Sequence, residues 1–272
     1  MTANVFADDV GEVLAETIGG DDGGVYAVNF GAGTIPDLVF RLHDLDDPPA
    51  VKLLVDWDDI TAATDDFMVA GHAADLVAAD ALSVRLLPDL PRASLFVSGS
   101  EVVSLVHAGD GVGGLTATES AFVEDAWRRY DEAWVDAEPH SLRTPPITDV
   151  RETLAAELGR PVLDDFDAIL GELSSVTGED GPNEVTLVLL AAARHDKLLY
   201  EVSKWGENVS LASKATFSRS KSDLEEAGVV VTEKVPIDVG RPRLRLRLAP
   251  DLDDAGIPEL LRTVRERLAD AE

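Results

Sequence analysis

Ser210-Leu211-Ala212-Ser213-Lys214-Ala215-Thr216-Phe217-Ser218-Arg219-Ser220-Lys221-Ser222-Asp223-Leu224-Glu225-Glu226-Ala227-Gly228-Val229-Val230 reads as one amphipathic helix and the start of a strand. Phe217, Leu224 and Ala227 fall near one helical face. Lys214, Arg219, Lys221 and the hydroxyls of Thr216, Ser218, Ser220 and Ser222 cover the remainder, and Gly228 stops the helix. A helix with a narrow apolar stripe and a cationic, hydroxyl-rich surface suits a major groove. The stripe holds it to a scaffold while the other side offers donors to base edges and phosphates.

Outward from this helix the pattern continues. Downstream, residues 229–235 and 243–248 read as two strands around the loop 236–242, with Arg243, Arg245 and Arg247 alternating with Leu244, Leu246 and Leu248. A period of two puts the arginines on one face and the leucines on the other. Arg245 and Arg247 are equally suited to pairing with acids of a neighbouring helix. Upstream, Asn183 precedes an apolar helix at 184–194. A shorter helix at 198–205 turns Leu199, Val202 and Trp205 inward, and Gly206 is expected to end it. Three helices followed by a hairpin with a basic loop is the winged helix-turn-helix plan, here over 184–250. Helices at 149–158, 164–173 and 258–271 flank it. The last has Pro258 at its start and Leu260, Leu261, Val264 and Leu268 as its stripe.

The chain has 272 residues and a net charge of −29, with 45% hydrophobic residues, so it is an acid-coated protein with an ordinary core. That charge is unevenly spread. Residues 184–250 hold eleven basic and nine acidic side chains, a net +2, while the rest of the chain carries −31. Such asymmetry points to a local anionic partner. The seven Asp-Asp pairs lack metal-site spacing and read as solvated surface. With no cysteine, disulfides, thiolate metal sites and thiol nucleophiles are excluded. No apolar run is long enough to span a bilayer, and the acidic first eleven residues do not read as a secretory signal, so a cytoplasmic location is expected. The low lysine content and dispersed carboxylates resemble proteins of salt-loving archaea.

The N-terminal half reads as an α/β layer. A helix is expected at 5–18, strands at 25–30, 50–55, 83–87, 93–97 and 102–106, and a helical stretch at 60–80, with Ser98-Gly99-Ser100 turning a hairpin. A long helix is expected at 116–136 with Thr118 as N-cap, its stripe of Phe122, Ala126, Tyr130 and Trp134 (with Trp127 nearby) packing a core or a dimer seam. Residues 140–147 read as a linker. The glycines of 109–114 read as a loop; they lack the Lys-Ser/Thr of a phosphate loop. His43, His72, His107, His140 and His195 lie far apart, and no nucleophile elbow occurs.

Two resemblances join these observations. Residues 86–99, Leu-Leu-Pro-Asp-Leu-Pro-Arg-Ala-Ser-Leu-Phe-Val-Ser-Gly, are similar to the strand–turn region of phospholipase-D-like domains. Arg92, Ser94 and Gly99 stand where that family's His, Lys and Asp would be, which implies a non-catalytic sensor version. The helix ending Leu224-Glu225-Glu226-Ala227-Gly228-Val229-Val230 resembles the recognition-helix ending of many archaeal and bacterial regulators. Together the two parts resemble the haloarchaeal TbsP family of transcriptional regulators, related in layout to TrmB. The expected fold class is α+β: a mixed α/β, phospholipase-D-like sensor or dimerisation domain at 1–140, and a winged helix-turn-helix domain with flanking helices at 148–272. The resemblance implies a homodimer binding double-stranded promoter DNA of metabolic genes, with a small-metabolite effector and no cofactor, metal or catalytic residue. The expected DNA contacts are Lys214, Thr216, Ser218, Arg219, Ser220, Lys221, Arg241 and Arg243. A phosphodiesterase-like enzyme and a protein-interaction scaffold remain the alternatives.

Overall fold

The computed structural model describes residues 4–8, 10–17, 24–88, 91–109, 111–174, 182–237 and 242–270. The chain divides into two compact units, Met1–Ile147 and Thr148–Glu272.

The first unit is a mixed α/β layer. In chain order it contains β1 (Val5–Ala7), α1 (Val10–Thr17), β2 (Val25–Val28), α2 (Ile35–His43), β3 (Val51–Val55), α3 (Trp57–Ala63), α4 (Phe67–Ala78), β4 (Leu82–Leu86), β5 (Leu95–Val97), β6 (Val102–Ala108), β7 (Gly111–Ala117), α5 (Ser120–Asp136) and β8 (Glu138–Pro139). The eight strands form one sheet in the order β1-β7-β6-β5-β2-β3-β4-β8. β2, β3 and β4 are parallel, and the remaining pairings are antiparallel.

Alternation along the strands separates two cores. Val25, Ala27, Val51, Leu53 and Val84 pack with apolar residues of α1, α2, α3 and α4. Tyr26, Val28, Leu54 and Val97 face the other way and meet Val123 and Tyr130 of α5. A strand buried on both faces must be apolar nearly throughout, which is why Val51-Lys52-Leu53-Leu54-Val55 shows no clean alternation.

Several expectations need correction. Residues 5–7 are not helical; they pair antiparallel with β7, Val5 opposite Gly114. Ile18 lies outside the described residues. Residues 111–117 are not a loop. They form β7, which pairs with β6 from Ala117 to Gly111, and Gly109, at φ +63°, turns between them. The long helix therefore starts later, with Glu119 and not Thr118 at its N-cap. The expected helix at 60–80 is two helices, broken before Asp66, whose carboxylate accepts from the Met68 and Val69 amides at 2.8 and 3.0 Å. The turn at Ser98 is as expected, closed by Ser98 N–H to Glu101 O at 2.9 Å.

The second unit contains α6 (Ile147–Glu157), α7 (Arg160–Ser174), α8 (Glu184–Arg194), α9 (Leu199–Asn208), α10 (Lys214–Glu226), β9 (Val230–Val235), β10 (Arg243–Leu248) and α11 (Ile257–Ala269). Asn183 caps α8, accepting from the Thr186 amide at 2.9 Å. Every residue of α8 from Val185 to Ala193 is buried. β9 and β10 form an antiparallel ribbon, with Arg245 opposite Glu233. A bridge between Leu198 and Arg245 and a bond from the Leu246 amide to Lys197 O at 2.8 Å stitch this ribbon to the α8–α9 turn. Among the described residues, no helix is long and apolar enough to cross a membrane.

Candidate nucleic-acid interface

α10 begins where Ser213 Oγ accepts from the Thr216 amide at 3.1 Å. Phe217, Ser220, Lys221 and Leu224, spaced by three or four residues, form its buried face. Phe217 is wholly enclosed, and its ring lies against Gly206 of α9. A Cβ on Gly206 would sit 2.2 Å from that ring, so only glycine lets the two helices approach this closely. Gly206 is thus not a helix stop. α9 continues to Asn208, and the reversal comes at Ser210, which adopts φ +61°.

The outward surface of α10 consists of Lys214, Ala215, Thr216, Ser218, Arg219, Asp223 and Glu226. Its first two turns are cationic and hydroxylated, and its last turns are acidic. The N-terminal half is therefore the part of this surface suited to an anionic partner. Arg219 is exposed and has no ion pair among the described residues. Lys214 is also exposed but pairs with Glu207 of α9. The Thr216 hydroxyl is 2.9 Å from that of Ser213, and the Ser218 carbonyl accepts from Ser222 Oγ at 3.0 Å.

Ser220 and Lys221 depart from expectation: both are buried and face the scaffold. Lys221 lies four residues after Phe217 and so shares its stripe. Lys221 Nζ meets Glu225 Oε2 at 2.6 Å, and the other Glu225 oxygen accepts from Thr232 of β9 at 2.6 Å. Burial alone would raise the Glu225 pKa, but the hydrogen bonds from Lys221 and Thr232 and the Lys221 charge outweigh it, leaving the carboxyl below its ordinary value. This trio fastens α10 to β9.

The wing arginines are likewise engaged within the chain. The Arg243 guanidinium sits 4.1 Å from the centre of the Tyr200 ring. A guanidinium stacked on a ring keeps its N–H edges available to a phosphate. Arg245 pairs with Glu233 at 3.6 Å, and Arg247 pairs with Asp196 at 2.7 Å and Glu233 at 3.8 Å. Arg241 lies outside the described residues. Lys204 of α9 and Lys234 of β9 are exposed and carry no ion pair among the described residues. Lys204 was legible as the outward position between inward Val202 and Trp205, but it stood outside the motif.

In the first unit, the positions matched to the phospholipase-D pattern hold no acid–base set. Arg92 is exposed, the Ser94 hydroxyl donates to Asn29 O at 2.6 Å, and Gly99 lies in the β5–β6 turn. A different polar cluster is present beneath α5. Lys52 donates to the Tyr26 hydroxyl at 3.1 Å, which donates to Asp131 at 2.7 Å. Burial and the Asp131 carboxylate hold the Tyr26 phenol above its ordinary pKa, so it stays protonated. Trp127 and Trp134, partly buried, wall it at 5.0 and 6.2 Å, the core alternative of the two roles, core or dimer seam, expected of that stripe. Phe122 instead points outward, 53% exposed. It borders a groove lined also by Leu95, Val102, Leu115 and Tyr130.

Two family models match the chain, one along each unit. Residues 2–145 match the family model "Transcriptional regulator TbsP-like, N-terminal", and residues 146–265 match "Transcriptional regulator TbsP-like, C-terminal HTH domain". No curated protein matches the chain. Among solved structures, TrmBL2, an archaeal chromatin protein, matches at 11% identity and TM-score 0.34, over 51% of this chain and 53% of its own, about half its length. Nuc from Salmonella typhimurium, a phospholipase D family member, matches at 11% identity and TM-score 0.35, over 51% of this chain and 97% of its own. Matched along both of its units, the chain belongs to the family of TbsP-like transcriptional regulators with a C-terminal helix-turn-helix domain.

Proposed function

We propose that the chain binds double-stranded promoter DNA of metabolic genes as a homodimer in the cytoplasm, with α10 in the major groove and β9–β10 against the flanking backbone. The observation that carries this reading is the N-terminal half of α10. Arg219 is exposed there without an ion pair among the described residues, beside the exposed hydroxyls of Thr216 and Ser218. An arginine so placed reads guanine through two parallel hydrogen bonds. Lys214 leaves Glu207 for a phosphate, Arg243 donates from its place on Tyr200, and Arg241 is proposed to extend the wing contact. Ser220 and Lys221 support the helix from behind. The bare apolar groove beside Phe122 on the first unit supports the homodimer, and a small-metabolite effector acts through that same unit.

The test is titration of promoter DNA by fluorescence anisotropy. Arg219→Ala weakens specific binding about 5- to 150-fold, from the loss of about 1–3 kcal/mol expected for one bidentate base contact. Lys221→Ala lowers stability and leaves the affinity of the folded fraction close to that of the parent. The same titration reads two chains per site. An unchanged affinity in Arg219→Ala moves the interface off α10.

A further inference from the structure

We propose that His43, His72 and Asp75 form a binding site for a late first-row divalent cation, zinc above all, between α2 and α4 of the first unit. The sequence sets His43 far from the His72–Asp75 pair, and the fold gathers them. His43 is the last residue of α2; His72 and Asp75 stand three apart on α4 and so share one face. One ring nitrogen of each histidine and a carboxylate oxygen of Asp75 all lie within 4.8 Å of one another. His43 Nε2 is 3.6 Å from Asp75 Oδ2, and the two imidazole centres are 3.9 Å apart.

Zinc binds imidazole nitrogen and carboxylate oxygen at about 2.0–2.2 Å, which puts tetrahedral ligands roughly 3.4 Å from one another. The His43–Asp75 edge has nearly that length already. The widest edge, at most 4.8 Å, closes by up to about 1.4 Å, and the His43 side chain, 35% exposed, has room to take part in that movement. His72 is the fixed member: it is buried, with Phe40 edge-on at 5.6 Å. The exposed side, at His43, leaves a fourth position for water. A donor set of two nitrogens and one oxygen selects against magnesium and calcium, which prefer oxygen alone. That matters on a surface rich in carboxylates, where hard cations bind loosely everywhere. A bound ion clamps the C-terminus of α2 to the middle of α4 and so makes the first unit responsive to metal. The inference stands independently of the DNA reading.

The test uses the intact chain, stripped with chelator, and zinc chloride in isothermal titration, with cobalt(II) as a spectroscopic probe. One zinc binds per chain, and excess magnesium does not compete. Cobalt gives the intense visible bands of a tetrahedral site. His43→Asn, at the open side of the cluster, and Asp75→Asn, which keeps the size of the carboxylate, each weaken zinc binding at least tenfold and abolish the cobalt bands. Their unfolding temperatures without metal stay near the parent's. If parent and both variants share the same zinc isotherm, or cobalt gives only its pale octahedral spectrum, the site does not exist and the cluster is an ion pair with an edge-on histidine.

Discussion

A methyl carbon at position 206 would lie 2.2 Å from the edge of the enclosed Phe217 ring, which has no room to move aside. Gly206→Ala is therefore expected to destabilise the second unit by about 1–3 kcal/mol, as overpacking does. In urea its midpoint falls while the slope of the transition stays the same. The same glycine shows how a single residue misleads. A glycine after a short apolar helix reads as a stop or as a close contact, and only its partner decides. That partner lies beyond a turn, so local reading cannot see it. Lys221 is the opposite case. Its burial was legible, because four residues after an inward Phe217 is inward again. Its charge drew it into the set of expected contacts, although a lysine can bury its stem and keep its ammonium on a carboxylate. Arg219, two positions earlier, points outward by the same periodicity.

Between elements, the Lys221–Glu225–Thr232 trio joins a helix to a strand, and its strength depends on acid. The folded Glu225 carboxyl has a lowered pKa, so its contribution is fully present above the unfolded carboxyl value near 4.3 and is lost as pH falls through the folded value. Glu225→Gln removes that dependence. The stability gap between parent and variant, measured by denaturation, is expected to be widest near neutral pH and to shrink below about pH 4. If the gap holds constant down to pH 3, Glu225 is not the linked group. At this scale legibility followed the range of the pairing. β2, β3, α8 and α10 announce themselves by apolar runs, caps and periodicity. β1 and β7 do not, since three residues ahead of an amphipathic helix look like its first turn, and a strand with Gly111, Gly113 and Gly114 looks like a loop. Gly114 is required there by contact: a Cβ would lie 2.7 Å from Val13 and 3.0 Å from Val103. The His43–His72–Asp75 cluster was invisible for the same reason, because two helices from different places in the chain build it.

Across the whole molecule, the mean charge of −29 hides the feature that matters for DNA. The cations offered outward on the described part of the second unit are few and several are already paired, so few phosphates are neutralised and few counterions released. Specific binding is expected to lose affinity only gently with salt, with a log–log slope of about −2 to −4. A slope near −10 would show a large phosphate footprint that these residues do not provide. At roughly 1 M salt the Debye length is about 3 Å, so repulsion from the acidic coat no longer reaches the DNA, and contact geometry decides affinity. One further consequence concerns divergence. α8 is enclosed from Val185 to Ala193 and leaves no residue in that run free to vary without disturbing packing. The outward positions of α10, by contrast, contribute little to the core. On the proposed reading of α10, descendants of such a unit exchange one operator for another by altering Thr216, Ser218 or Arg219 while inheriting the same framework unchanged.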